Sequence, residues 1–143
     1  MKIGIGCDHA GYNLKLAIIK KFQSENLEFI DYGSANSVDS VDYPDIAIDL
    51  CRDYIKGNFD FGFLICGSGI GVSITANRFK EVRAALCHNA QTATLARQHN
   101  DANFLCLGAR IIDDKTAFEA VSAFLETKFA AGHHQIRVEK LSF

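Results

Sequence analysis

A chain of 143 residues with 48% hydrophobic side chains has the size of one domain with its own core. Its 15 lysines and arginines against 17 aspartates and glutamates leave a net charge of -2, so no overall positive field draws it to nucleic acid or anionic lipid. Five cysteines without a CxxC spacing exclude a disulfide framework and a zinc knuckle, and with an acid as early as Asp8 and no bilayer-length apolar run they predict a soluble cytoplasmic protein with reduced thiols.

Short apolar runs alternate with segments of helical period, the pattern of βαβ units around a parallel sheet. The first run, Lys2–Asp8, is followed by Asn13–Ser24, where Leu14, Ile18 and Phe22 recur every four residues with lysines elsewhere and predict an amphipathic helix. The second, Leu27–Tyr32, precedes Pro44, a residue suited to a first helical turn that carries Ile46, Leu50 and Tyr54. The third, Phe59–Cys66, opens onto a glycine-rich loop, and the fourth, Arg83–His88, leads to a helix that ends at Arg97–Asp101. The fifth, Phe104–Gly108, precedes the last full helix, marked by Phe118, Val121, Phe124 and Leu125, with Gly132 expected to end it or the turn after it. Phe59, Phe61, Phe63, Phe104, Phe118 and Phe124 read as core. No linker, low-complexity tract or repeat divides residues 1–143, so one domain is expected, with a basic tail from His133 to Phe143 extending toward a partner subunit.

In an open parallel sheet, ligands bind outside the carboxyl ends of the strands. The richest such end is Cys66-Gly67-Ser68-Gly69-Ile70-Gly71, whose three glycines let backbone amides converge on an anion and whose cysteine suits a thiolate. The competing reading is a tight strand-to-helix turn beside an inert core cysteine. Named alternatives fail on spacing: Val72 stands where a dinucleotide fingerprint needs glycine and where a phosphatase loop needs arginine, and Gly11 is followed by Tyr12-Asn13 rather than a Walker A lysine. Asp8 and His9 put a carboxylate and an imidazole at the first strand end, to touch a sugar phosphate or, for Asp8, to cap a helix. His99 reads either as an acid/base or as a dipole-compensating residue at a helix end. Arg110 and the cluster His133-His134-Gln135-Ile136-Arg137 either grip a phosphate or solvate a surface. Tyr43, ahead of Pro44, is placed to close a sugar pocket, while Cys7, Cys51, Cys87 and Cys106 read as small buried apolar residues.

Taken together, Gly6-Cys7-Asp8-His9-Ala10-Gly11, Asp42-Tyr43-Pro44, Cys66–Gly71, Arg97-Gln98-His99-Asn100 and Gly108-Ala109-Arg110 closely resemble type B ribose-5-phosphate isomerase nearly end to end. That family also includes galactose-6-phosphate and allose-6-phosphate isomerases. The resemblance implies a Rossmann-like three-layer α/β/α sandwich with a five-stranded parallel sheet, assembled as dimers or tetramers whose sites are shared across the dimer interface. It implies that Cys66 shuttles a proton between C2 and C1, a role some relatives give to a glutamate at the position of Val72. It implies that His99, assisted by Asp8 and lent with Asn100 by the neighbouring subunit, opens the furanose ring. The amides of Gly67, Ser68, Gly69 and Gly71, with the Ser68 hydroxyl, match an anion hole for an enediolate. His9, Arg110, His133 and Arg137 match phosphate ligands, and His134 matches a family histidine. The family pattern carries arginine where this chain has His133, and an imidazole does not reproduce a guanidinium fork.

Such chemistry calls for a small-molecule sugar phosphate and for no metal or redox cofactor, no nucleic acid and no membrane. The alternatives are the same reaction on a six-carbon allose or galactose phosphate, and a non-catalytic sugar-phosphate-binding module. The latter would have no reason to keep Cys66, Asp8 and His99 together at strand ends.

Overall fold

The computed structural model describes residues 1–143. Its strands are β1 (Lys2–Cys7), β2 (Glu28–Asp31), β3 (Phe61–Cys66), β4 (Ala84–Leu86) and β5 (Phe104–Gly108), all parallel, in the spatial order β2-β1-β3-β5-β4. The helices are α1 (Tyr12–Phe22), α2 (Tyr43–Ile55), α3 (Ile70–Ala76), α4 (Ala90–Asn100), α5 (Asp114–Glu126) and α6 (His133–Glu139), and a single 3-10 turn, His9–Gly11, leads into α1. No helix is long and apolar enough to cross a membrane.

Side chains alternate across a strand, and here both faces are covered, which is why each strand reads as an unbroken apolar run. Ile3, Ile5, Phe63, Ile65, Leu105 and Leu107 lie under α1, α4 and α5, meeting Leu14, Ile18, Ala93, Val121 and Phe124. Leu64, Cys66, Phe104 and Cys106 point the other way, under Leu50 and Cys51 of α2 and Val72 and Ala76 of α3. The result is the three-layer Rossmann-like sandwich. Gly4 admits the Phe59 ring so closely that a Cβ would sit 2.6 Å from it.

Most boundaries differ from the sequence reading by one or two residues, and β4 differs by more. β4 has three residues rather than six, because it is an edge strand whose Ala84 is paired by a side chain: Asn77 donates to its carbonyl at 2.9 Å and accepts its N–H at 2.8 Å. Of the two places expected for Gly132, the structure takes the second: α5 stops at Glu126 where Thr127 turns extended, and Gly132, with φ 55, closes the connection that follows, just before α6. The tail opens as a short helix against α4, through a ring stack described below.

β1 hands the chain to α1 on one face and β3 hands it to α3 on the opposite face. Neighbouring strands that exit to opposite sides leave a crevice at their carboxyl ends, and Cys7-Asp8 and Cys66-Gly67 sit at its rim.

Candidate active site

The crevice contains a cleft of about 560 Å³, within the range of small-molecule sites. Asp8 and Cys66 meet there with Tyr43, Ser68, Gly71 and Arg110. Asp8 is the helix cap that one sequence reading expected, and it also lines the cleft. Its Oδ1 caps the following turn, accepting the N–H groups of Ala10 at 3.0 Å and Gly11 at 3.2 Å, while its second carboxylate oxygen takes no protein donor and is left to the cleft.

Cys66 ends β3 with 4% exposure, and its Sγ accepts the N–H of Gly69 at 3.1 Å. That bond needs the left-handed φ of 77 at Gly69, where a Cβ would lie 2.9 Å from the Leu107 carbonyl carbon. The expected anion hole is thereby revised at one member: the Gly69 amide is turned to the sulfur. The N–H groups of Gly67, Ser68 and Gly71 take no protein acceptor, and the Ser68 hydroxyl oxygen accepts the N–H of Ile70 at 3.2 Å with its own proton free. Three donors without acceptors beside a sulfur can hold an oxyanion as it develops.

The remaining cysteines behave as core. Burial pushes the Cys51 thiol up to about 12, Cys87 up to about 11, and Cys7 and Cys106 upward as well, and none of the four lines the cleft.

Tyr43 lies against Gly71, where a Cβ would overlap the phenol ring. Gly71→Ala is expected to push Tyr43 off the loop and to raise KM about tenfold while the far-ultraviolet circular dichroism stays that of the wild type. Arg110 donates its backbone N–H to the Gly67 carbonyl at 2.9 Å, and its guanidinium lies over Gly67 without an acidic partner, open to an anion. His9 sits beside this group rather than on the cleft wall, its Nδ1 accepting the N–H of Val41 at 3.2 Å.

Within one chain, His99 and Asn100 do not line this cleft; the resemblance implied that a neighbouring subunit lends them. A crossover helix runs antiparallel to the strands, so the 11 residues of α4 carry its end about 16 Å back toward the amino end of the sheet. There the His99 ring stacks on His134 at 4.3 Å, and the His133 ring lies tilted against His134 at 4.0 Å. Arg137 donates to the His133 carbonyl at 2.7 Å. His99, His133, His134 and Arg137 thus form a second group that is apart from the cleft.

Desolvation, then the neighbouring His133, His99 and Arg137, hold the His134 imidazole below its ordinary value. The attached helix therefore binds its proton less readily than the detached one, so acid favours detachment. The protection factors of the α6 amides, with the intrinsic pH dependence of exchange divided out, are expected to fall as pH drops from about 7 to 5.5, and to lose that dependence in His134→Phe.

A family model described as Ribose/Galactose Isomerase matches residues 3–141. The chain belongs to the ribose/galactose isomerase family. Among curated members of this isomerase family, ribose-5-phosphate isomerase B of Escherichia coli K12 is 40% identical over 141 residues, covering 99% of this chain and 94% of that protein. Ribose-5-phosphate isomerase B of Clostridium thermocellum superposes with a TM-score of 0.95 at 43% identity, covering 99% and 95% of the two chains. The enzyme of Mycoplasma genitalium, solved with bound ribulose-5-phosphate, gives 0.93 at 39% identity over 98% and 93%.

Sequence reasoning missed Lys15 and Val41 in this isomerase fold. Lys15 reads as a solvent lysine, yet it is 1% exposed. The available signal was its position three before Ile18 and four before Ile19, on the buried stripe. Val41 acts through its backbone N–H, which no side-chain pattern reveals.

Proposed function

We propose that this chain is an aldose–ketose isomerase that interconverts ribose 5-phosphate and ribulose 5-phosphate. The observation that carries it is the Cys66 sulfur beside the three unpaired amides of Gly67, Ser68 and Gly71, at the switch point of a sheet from this family. The substrate class is supported by relatives named as ribose-5-phosphate isomerases and by the ribulose-5-phosphate bound to one of them.

In this reading the Cys66 thiolate takes the proton from C2 of the open-chain aldose and returns it to C1. The intermediate is an enediolate whose oxyanion lies on the free amides, with the Ser68 hydroxyl beside it, and the hydroxyl proton passes from O2 to O1 as the carbonyl moves from C1 to C2. Arg110 and His9, with His133 and Arg137 of a second copy, hold the phosphate, Tyr43 closes the cleft, and Asp8 assists ring opening. His99 and Asn100 reach this site from a second copy, because their own chain carries them to the far end of α4. The working unit is thus a cytoplasmic homodimer, or a tetramer built from it, of one-domain subunits, with the 133–143 tail packed on the partner.

The test is a side-by-side assay of purified protein on ribose 5-phosphate, allose 6-phosphate and galactose 6-phosphate. The highest kcat/KM is expected for ribose 5-phosphate. A six-carbon substrate ranked first, or turnover of none, overturns the assignment.

A further inference from the structure

Lys15 is among the largest fully buried side chains of the molecule, and it alone of them carries a charge. Its Nζ donates to Asp31 Oδ1 at 2.8 Å and to the Ser34 carbonyl at 2.7 Å, with the Tyr12 ring centroid 5.1 Å away. An apolar residue would fill this space without the cost of desolvating an ammonium, so what the charge adds is its hold on two oxygens of the segment that joins β2 to α2.

That segment is held by its own hydrogen bonds from Asp31 to Asp39, two residues short of Val41. Asp31 Oδ1 also accepts the Gly33 N–H at 2.9 Å, and the Ser34 hydroxyl donates to the Asn36 carbonyl at 3.0 Å. Asn36 Oδ1 then accepts the N–H groups of Val38 at 2.9 Å and Asp39 at 2.8 Å. The segment ends by presenting the Val41 N–H to His9 Nδ1 at 3.2 Å. A ring nitrogen that accepts a hydrogen bond holds no proton, so neutral His9 carries its proton on Nε2.

We infer that Lys15 is a positioning residue which, through the 31–41 segment and its Val41 N–H, holds His9 in the Nε2–H tautomer. This rests on the reading of His9 as a phosphate ligand. An Nε2–H donates to a phosphate oxygen, whereas the opposite tautomer would turn a lone pair toward the anion.

Histidine-¹⁵N-labelled full-length protein at neutral pH gives a direct test, with the His9 signals assigned by their loss in His9→Gln. The wild type is expected to show a pyridine-type Nδ1 and a protonated Nε2. In Lys15→Met, which keeps the stem volume, the two signals should move toward the average of exchanging tautomers, and KM for ribose 5-phosphate should rise about fivefold, the worth of one hydrogen bond, with kcat within about twofold. Asn36→Ala loosens the same segment from the surface and serves if Lys15→Met does not fold. In a His9→Ala background neither change should raise KM further. A proton on Nδ1 in the wild type, unshifted signals in the variants, or an equal KM increase with and without His9 overturns the inference. Absence of turnover on any sugar phosphate defeats the proposed function instead, and the tautomer signals then decide this inference by themselves.

Discussion

Cys66→Ala is expected to give a folded protein whose kcat for ribose 5-phosphate has fallen roughly 10²- to 10⁴-fold, the usual contribution of a positioned proton-transfer group. The fold should survive, because the change removes one atom from a site at the end of β3 and leaves the Gly69 N–H beside a solvent-accessible cleft. Tm should stay within about 4 °C of the wild type. Alanine at Cys7, Cys51 or Cys106 is the matched control, since burial keeps those thiols protonated and away from the cleft. Their kcat should remain within about twofold. The measurement is steady-state isomerisation beside thermal unfolding. If Cys66→Ala kept a third of wild-type kcat, the base would have to be sought elsewhere among the cleft residues.

Mixing two inactive variants should restore activity. Cys66 lies in the cleft and His99 at the opposite end of the same chain, so a shared site draws one from each subunit. When Cys66→Ala and His99→Asn are refolded together in equal amounts, about half the dimers are hybrid, and each hybrid has one site with both native residues. About a quarter of wild-type activity is therefore expected, against losses of tenfold or more for each parent. The control is Cys66→Ala mixed with Asp8→Asn. Those two residues share one cleft in one chain, so no combination rebuilds a site and no activity should return. Recovery in both mixtures, or in neither, would argue against a site completed by a second subunit.

The Gly67–Gly71 loop was legible in the linear chain because its chemistry is local. A strand end, three glycines and a cysteine lie within six residues, and parallel-sheet topology alone places them at a crevice. The five strands were legible for a similar reason, since a sheet covered on both faces demands unbroken apolar runs. Asp8 and Tyr43 were marked as candidates, yet their meeting with Cys66 depends on α1 and α3 leaving β1 and β3 on opposite faces, which is a long-range outcome of packing. The short β4 followed from Asn77 pairing an edge that no strand occupies. The end of the sheet that His99 reaches in its own chain was not legible, because residue type says nothing of where a helix terminus lies; the antiparallel return of α4 decided that. Lys15 reads from its charge as a solvated side chain, and only the tertiary structure, by closing the 31–41 segment over it, supplied the two oxygens that make a buried ammonium tolerable.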